Sequence, residues 1–214
     1  VETAYNPDGN VETITAINSA TGNQTTTYVY GTTLEDSAVA SSLLKRAEIY
    51  PDSVDGNDVI TFAYNRQSQV TELVDQGGTT HEFDYDLLGR QTQDRVTALG
   101  TNVHGAVRRI ESAYEVRGMK SRVTSFDDPD VGEGSIVNDV AFEYNEFAQL
   151  VSDAQSHAGS VDMDTPKVQY QYNDGSDNTI RPAGLVYPNG RELTYDYGAA
   201  DGIADSASRV AAIV

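Results

Sequence analysis

The side chains that could do chemistry in this chain of 214 residues are three histidines, 33 acidic residues, 13 tyrosines and five phenylalanines. His81, His104 and His157 lie far apart, and none stands in an HExxH or GxSxG setting, so neither zinc-protease nor serine-hydrolase chemistry has its frame. Carboxylate pairs suited to acid and base work are as numerous as so many Asp and Glu residues must make them, and abundance alone points to no site. Four acidic clusters suggest calcium: Asp52, Asp55, Asn57 and Asp58; Asp127, Asp128, Asp130 and Glu133; Asp162 and Asp164; Asp174 and Asp177. None has the alternating ligand order with its glycine and closing bidentate Glu. GTTLEDS and GSDNT are not phosphate-cradling loops. With no cysteine, thiolate nucleophiles, disulfides and Cys-type zinc sites are absent. The expectation is a chain with no catalytic, cofactor or metal site, and therefore not an enzyme.

A formal charge of −19 sets a repulsive field against phosphate backbones and anionic lipid. Nucleic acid is not an expected partner. No apolar run approaches the ~20 residues of a membrane span, so membrane insertion is not expected either. Asn23-Gln24-Thr25 is a formal glycosylation sequon, meaningful only in a eukaryotic secretory pathway.

The aromatic residues are patterned. Pairs spaced by two recur at Tyr28/Tyr30, Phe62/Tyr64, Phe83/Tyr85, Phe142/Tyr144, Tyr170/Tyr172 and Tyr195/Tyr197, and Tyr5 and Tyr114 keep the second ring alone. The eight second rings, Tyr5, Tyr30, Tyr64, Tyr85, Tyr114, Tyr144, Tyr172 and Tyr197, are spaced by about 27 residues on average. Exposed tyrosines suit the faces of sugars. Spacing by two, however, puts both rings on one face of a strand, and four of the six residues between them are polar, which predicts a buried ring row and a wet opposite face.

After each second ring the chain turns. A small residue falls at the fourth position, Gly9, Ser68, Gly89, Gly118 or Ala148, where a turn calls for positive φ. A second strand follows, entered through Asn10-Val11, Arg46-Ala47, Gln69-Val70, Gln149-Leu150 or Arg209-Val210. Gly77-Gly78 and Asn189-Gly190 mark compact turns between one unit and the next. Insertions at 31–42, 97–111, 127–139, 154–167, 173–182 and 198–207 read as surface loops, and 34–46 (LEDSAVASSLLKR) is the one stretch with the pattern of a short helix. One hairpin cannot bury enough to offset the entropy of ordering it, so stability must come from stacked units. The two ends are then expected to be open sheet edges, completed by neighbouring repeats or prone to aggregate.

YDLLGRQTQ, at 85–93, carries the best spelling of this unit and resembles the YD repeat of the Rhs family, Y-D-x-x-G-R-L. The resemblance spans nearly the whole of residues 1–214, as about eight hairpin repeats of a longer array. It implies an all-β fold, repeated hairpins in a spiralling antiparallel sheet forming an arc of a YD-repeat shell, as in bacterial Rhs and toxin-complex proteins and the related teneurins. Tyr85, Gly89, Arg90 and Gly118 are then structural repeat residues together with the other second rings. Gln91 and Lys120 stand where the family spells Leu, and Arg is read at Arg46, Arg90 and Arg209 but not at Asn10, Gln69, Met119 or Gln149. The family's self-cleaving, aspartate-dependent end region has no counterpart here; the Asp-Pro of DDPDVGEG lies in an interior insertion.

What the resemblance implies is a secreted or cell-surface bacterial segment that encloses or presents another part of its parent, a toxin-like C-terminal domain. Its partners are then the rest of the array and that cargo. The other reading is an adhesin holding a glycan or surface protein.

Overall fold

A computed structural model describes residues 1–31, 39, 41–51, 58–173 and 181–214. Its strands are β1 (Glu2–Tyr5), β2 (Val11–Ala16), β3 (Gln24–Tyr30), β4 (Lys45–Ile49), β5 (Val59–Tyr64), β6 (Val70–Val74), β7 (Thr80–Tyr85), β8 (Gln91–Ala98), β9 (Arg109–Tyr114), β10 (Lys120–Phe126), β11 (Ile136–Tyr144), β12 (Leu150–Ser156), β13 (Lys167–Tyr172), β14 (Pro182–Val186), β15 (Glu192–Asp196) and β16 (Ala212–Ile213). The one described helix, α1, is Ile203–Ser206. Strand neighbours follow chain order from β1 to β16 in an open antiparallel sheet, so the fold is all-β. Two compact units make up the chain: Val1–Ile110 with Asp127–Gly134, and Glu111–Phe126 with Ser135–Val214.

Alternation writes the strands. In β13, KVQYQY, Val168, Tyr170 and Tyr172 are half-buried and Lys167, Gln169 and Gln171 are exposed; β15, ELTYD, repeats this with Leu193 and Tyr195. The rings are nevertheless not a closed core. The first rings Tyr28, Phe62, Phe83, Phe142, Tyr170 and Tyr195 are all half-buried rather than buried. Within each unit the described strands belong to one sheet, and a sheet without a second layer leaves its ring face partly wet. Among the described residues, Val39, Ala154 and Tyr197 form the buried apolar set, whereas Thr79, Gln93, Arg109, Thr124, Ser125, Asp139 and Ser152 are buried polar residues.

The face between the rings is ordered by charge. Arg95, opposite Glu82, reaches both Glu82 and Asp84 at 2.8 Å, so the polar residues read as merely solvated are tied across the hairpin β7–β8.

Two expectations change. Within 34–46, residues 34–38 and 40 lie outside the described residues, but Lys45 and Arg46 open β4 rather than end a helix, because strand pairing to Val29 and Tyr30 overrides the helix-forming composition. The helix occurs instead in the insertion 198–207. Insertions are also shorter than read: β8 extends to Ala98, β11 begins at Ile136 and β12 ends at Ser156.

Candidate functional site: a row of turns and tyrosine latches

Every motif turn is built by the residue after the second ring. Asp86 Oδ1 accepts the Leu88 and Arg90 amides, each at 2.9 Å, while its carbonyl accepts the Gly89 amide and its own amide donates to the Arg90 carbonyl. Asn6, Asn65 and Asn145 repeat the pattern, and Glu115 does so with a longer side chain. The result is a three-residue loop whose last residue is left-handed: Gly89 has φ 79°, and Ser68 and Ala148 adopt 65° and 64° despite their side chains. Two backbone amides on one side-chain oxygen explain the recurrence of Asn or Asp at this position.

The same turn is closed by a matched side-chain pair. Arg90 Nε donates to Asp86 Oδ2 at 2.7 Å; in two sister turns an Asn is matched by a Gln, with Asn65 Nδ2 to Gln69 Oε1 at 2.9 Å and Asn145 Nδ2 to Gln149 Oε1 at 2.8 Å. Backbone bonds from Arg90, followed by its guanidinium, hold the Asp86 carboxyl below the ordinary range. Turns also reach the next hairpin: Asn10 Nδ2 to the Ser42 carbonyl, Gln69 Nε2 to the Gly89 carbonyl, and Arg117 Nη1 to the Asn145 carbonyl, at 3.4, 2.7 and 2.7 Å.

The second ring sits at a register shift. Tyr64 faces Val70 while its neighbour Ala63 faces Glu72, so β6 carries one extra residue there; Tyr85, Tyr144 and Tyr172 repeat this opposite Gln91, Leu150 and Pro182. The bulge ends the ladder to the next hairpin early. β6 pairs with β7 only from Glu72 onward, leaving the Val70 carbonyl beyond the last pair, and the Tyr85 hydroxyl donates to it at 2.7 Å. Tyr64 does this to Lys45 (2.6 Å), Tyr144 to Lys120 (2.8 Å), Tyr172 to Leu150 (2.9 Å) and Tyr197 to Pro182 (2.8 Å). In all five the acceptor lies two residues before the last paired residue of its strand and the tyrosine three residues past that residue's partner. A phenolic hydroxyl thus satisfies a carbonyl that the ladder abandons.

Of the other predicted positions, Tyr30 has the same register, three residues past Thr27, and Tyr114 ends β9 before the turn at Gly118, whose φ is 95°. Tyr5 is 62% exposed. The Arg46 assignment is corrected: the Gly31 amide bonds Leu44 and Tyr30 faces Lys45, so Leu44 is the counterpart of Arg90 and Arg46 is the extra residue of the bulge. The insertion hid a better counterpart, Arg181, whose carbonyl accepts the Asn173 amide. Its guanidinium lies 3.8 Å from the centre of the Tyr197 ring and pairs with Asp205 of α1. Gln91 is exposed opposite Tyr85, so a polar side chain is accommodated where the family has Leu.

The histidines and acidic clusters do other work. His81 Nδ1 is 2.7 Å from Asp94 Oδ1 and its ring stacks on Phe83, while His104 and His157 are exposed in separate loops. In the DDPDVGEG insertion the Asp128, Asp130 and Glu133 carbonyls accept bonds from Arg109, which is only 1% exposed. The guanidinium thus ties the backbone of this loop together. Asp162 caps its own turn by accepting from Asp164 and Thr165. Among the described residues no three His, Asp or Glu side chains are grouped to hold a metal; Asp52, Asp55, Asn57, Asp174 and Asp177 lie outside those residues.

Sequence reasoning also missed Asp139, which is fully buried. It accepts bonds from Arg122, from Thr124 Oγ1 and from the Val161 amide, both latter at 2.8 Å, tying the 157–166 insertion to the sheet. An Asp inside the apolar run IVNDVAF was the available signal. Beside it, a cavity of about 410 Å³ is lined by Ala141, Ser152, Ala154, Val161 and Met163. On the ring side, Tyr170, Tyr172, Tyr195, Tyr197 and Leu185 line a groove of about 260 Å³.

No family profile and no curated protein matches the sequence. The fold, in contrast, matches solved structures. The crystal structure of TcdB2-TccC3 superposes with a TM-score of 0.58 at 12% identity, over 92% of this chain and 11% of that one. The TcdB2-TccC3-TEV and TcdB2-TccC3-Cdc42 structures give 0.58 at 12% and 13% identity, over 92% of this chain and 10% of theirs. The chain therefore spans about a tenth of the length of the proteins whose fold it shares.

Proposed function

We propose that this chain is a non-catalytic structural segment of an Rhs/YD-repeat β-shell, which encloses or presents another part of its parent polypeptide, a toxin-like cargo. The observation that carries this reading is the row of five tyrosine latches, because it spends the hydroxyls of the repeated motif on joints between hairpins. Matched Asp/Arg and Asn/Gln pairs spend the polar residues of the same motif on turns. The fold shared with a short stretch of the much longer TcdB2-TccC3 chains supports a wall built from many such segments. Its setting would be secreted or at the cell surface; among the described residues no helix is long and apolar enough to cross a membrane. The test is limited proteolysis of the parent polypeptide. Protection of the region downstream of the repeats, lost when the latch tyrosines are changed to Phe, is expected; equal cleavage with and without them would count against enclosure.

The groove with half-buried rings at Tyr170, Tyr172 and Tyr195 favours a second reading, an adhesin that stacks a glycan on these rings. A glycan array decides it: specific binding lost on Tyr195→Ala with folding retained supports adhesion.

A further inference from the structure

We propose that the cavity of about 410 Å³ beside Asp139 is a binding site for a short zwitterionic peptide, its ammonium end at Glu143 and its carboxylate end at Lys167. All of its lining residues belong to the second unit, well inside the array. Ala141 and Glu143 alternate with the rings Phe142 and Tyr144, so they share the opposite face of β11. There Ala141 faces Ala154 and Glu143 faces Ser152 on β12, and Lys167 of β13 faces Ala154 from the other side. Three small side chains together make room on a face that elsewhere carries long charged ones. The insertion 157–166 adds Val161, Asp162 and Met163 to the lining, and the bond from the Val161 amide to Asp139 ties that insertion to the sheet.

Ser152 is only 5% exposed and lines the cavity, yet its hydroxyl has no hydrogen-bond partner among the described residues, where so buried a polar group ordinarily has one. Glu143 and Lys167 also line it, and neither is in an ion pair among the described residues. They stand on either side of β12 and two residues out of step, which sets their Cα atoms about 12 Å apart by strand geometry. Three extended residues span about 10 Å. A tripeptide therefore reaches from one charge to the other, with an amide at Ser152 and its body on Ala141 and Ala154. Other ligand classes match the lining less well. Among the described residues no aromatic ring lines it for a sugar to stack on, and the carboxylates of Glu143 and Asp162 outnumber the one ammonium and repel a phosphate. The site goes beyond the shell reading and does not depend on enclosure.

Titration of the chain with tri-alanine, followed by backbone amide shifts in NMR spectra, tests this. Saturable shifts centred on Glu143, Ser152, Ala154, Val161 and Lys167 are expected, weakening as salt is added. Acetylating the peptide's N-terminus is expected to weaken binding about threefold, the worth of an exposed ion pair, and Glu143→Gln to do the same. The two losses should not add, because each removes the same pair. Lys167→Met stands in the same relation to amidation of the peptide's C-terminus. Glu143 and Lys167 are both exposed, so the substitutions should leave the spectrum of the free chain otherwise unchanged. No saturable shift at the cavity residues up to the solubility limit of tri-alanine overturns the proposal, and so does binding that ignores both substitutions or both blocking groups.

Discussion

The Tyr85 hydroxyl donates at 2.7 Å to the carbonyl of Val70, a residue in the preceding hairpin and opposite that hairpin's own second ring. The bond explains why the second aromatic position is Tyr throughout, while the first alternates between Tyr and Phe. Only the second ring stands over a carbonyl that the strand ladder leaves unpaired.

The turn pairs predict that a matched neutral pair can replace a matched charged one. Asp86→Asn or Arg90→Gln alone leaves a mismatched partner, whereas the double variant recreates the Asn65/Gln69 and Asn145/Gln149 pairing. Chemical denaturation is expected to rank the double variant above both singles. The pair is partly solvated, so the differences are small and need a full mutant cycle.

Backbone conformation predicts a gain. Ala148 holds φ 64° at a position where Gly89 and Gly118 stand in sister turns. Ala148→Gly is expected to stabilise the chain by about 1 kcal/mol. Gly89→Ala is expected to cost about as much, because its new methyl would also come within 3.2 Å of Gln69 Nε2. Thermal melts of the two variants should move in opposite directions.

Asp139→Asn is expected to destabilise the second unit by about 2 kcal/mol. That is less than the roughly 3 to 5 of a wholly buried broken pair, because Arg122 remains 41% exposed and can return to water. The substitution leaves one acceptor oxygen for the donors of Arg122, Thr124 and Val161, so hydrogen exchange of the Val161 amide should quicken more than that of amides in β13.

Stability should fall at both ends of the pH scale. Burial pushes the Asp139 carboxyl up, but Arg122, the Val161 amide and Thr124 more than offset it and hold the carboxyl below the ordinary range. A lowered folded value gives stability that is present above the unfolded pKa of about 3.9 and lost as pH falls through the folded one. The difference between the wild type and Asp139→Asn should therefore shrink in acid. Tyr64, Tyr85 and Tyr172 are raised by burial. Their contribution is complete below about pH 10 and is lost as pH rises through the higher folded values. Tyrosinate absorbance in the Tyr64→Phe, Tyr85→Phe, Tyr172→Phe variant should lose part of its late-titrating component, with Tyr50 and Tyr170 supplying the rest.

Strand positions and turn glycines were legible because period-two rings and left-handed turns are local properties of a few residues. The latches were not, since a Tyr hydroxyl finds Val70 only through a bulge and an early ladder end, and both are matters of register. Arg46 was misaligned with Arg90 because an insertion hides how many residues return to the sheet. Arg109 and Asp139 looked like ordinary surface charges, since their burial is made by insertions folding back over them. α1, with four residues, is too short to show a helical period.

The central claim is that the second rings are joints, and successive Tyr→Phe changes at Tyr64, Tyr85 and Tyr172 test it most directly. Each is expected to cost about 1 kcal/mol, the worth of one hydrogen bond, adding almost independently because the three acceptors lie in different hairpins. A triple variant as stable as the wild type in urea would contradict the account.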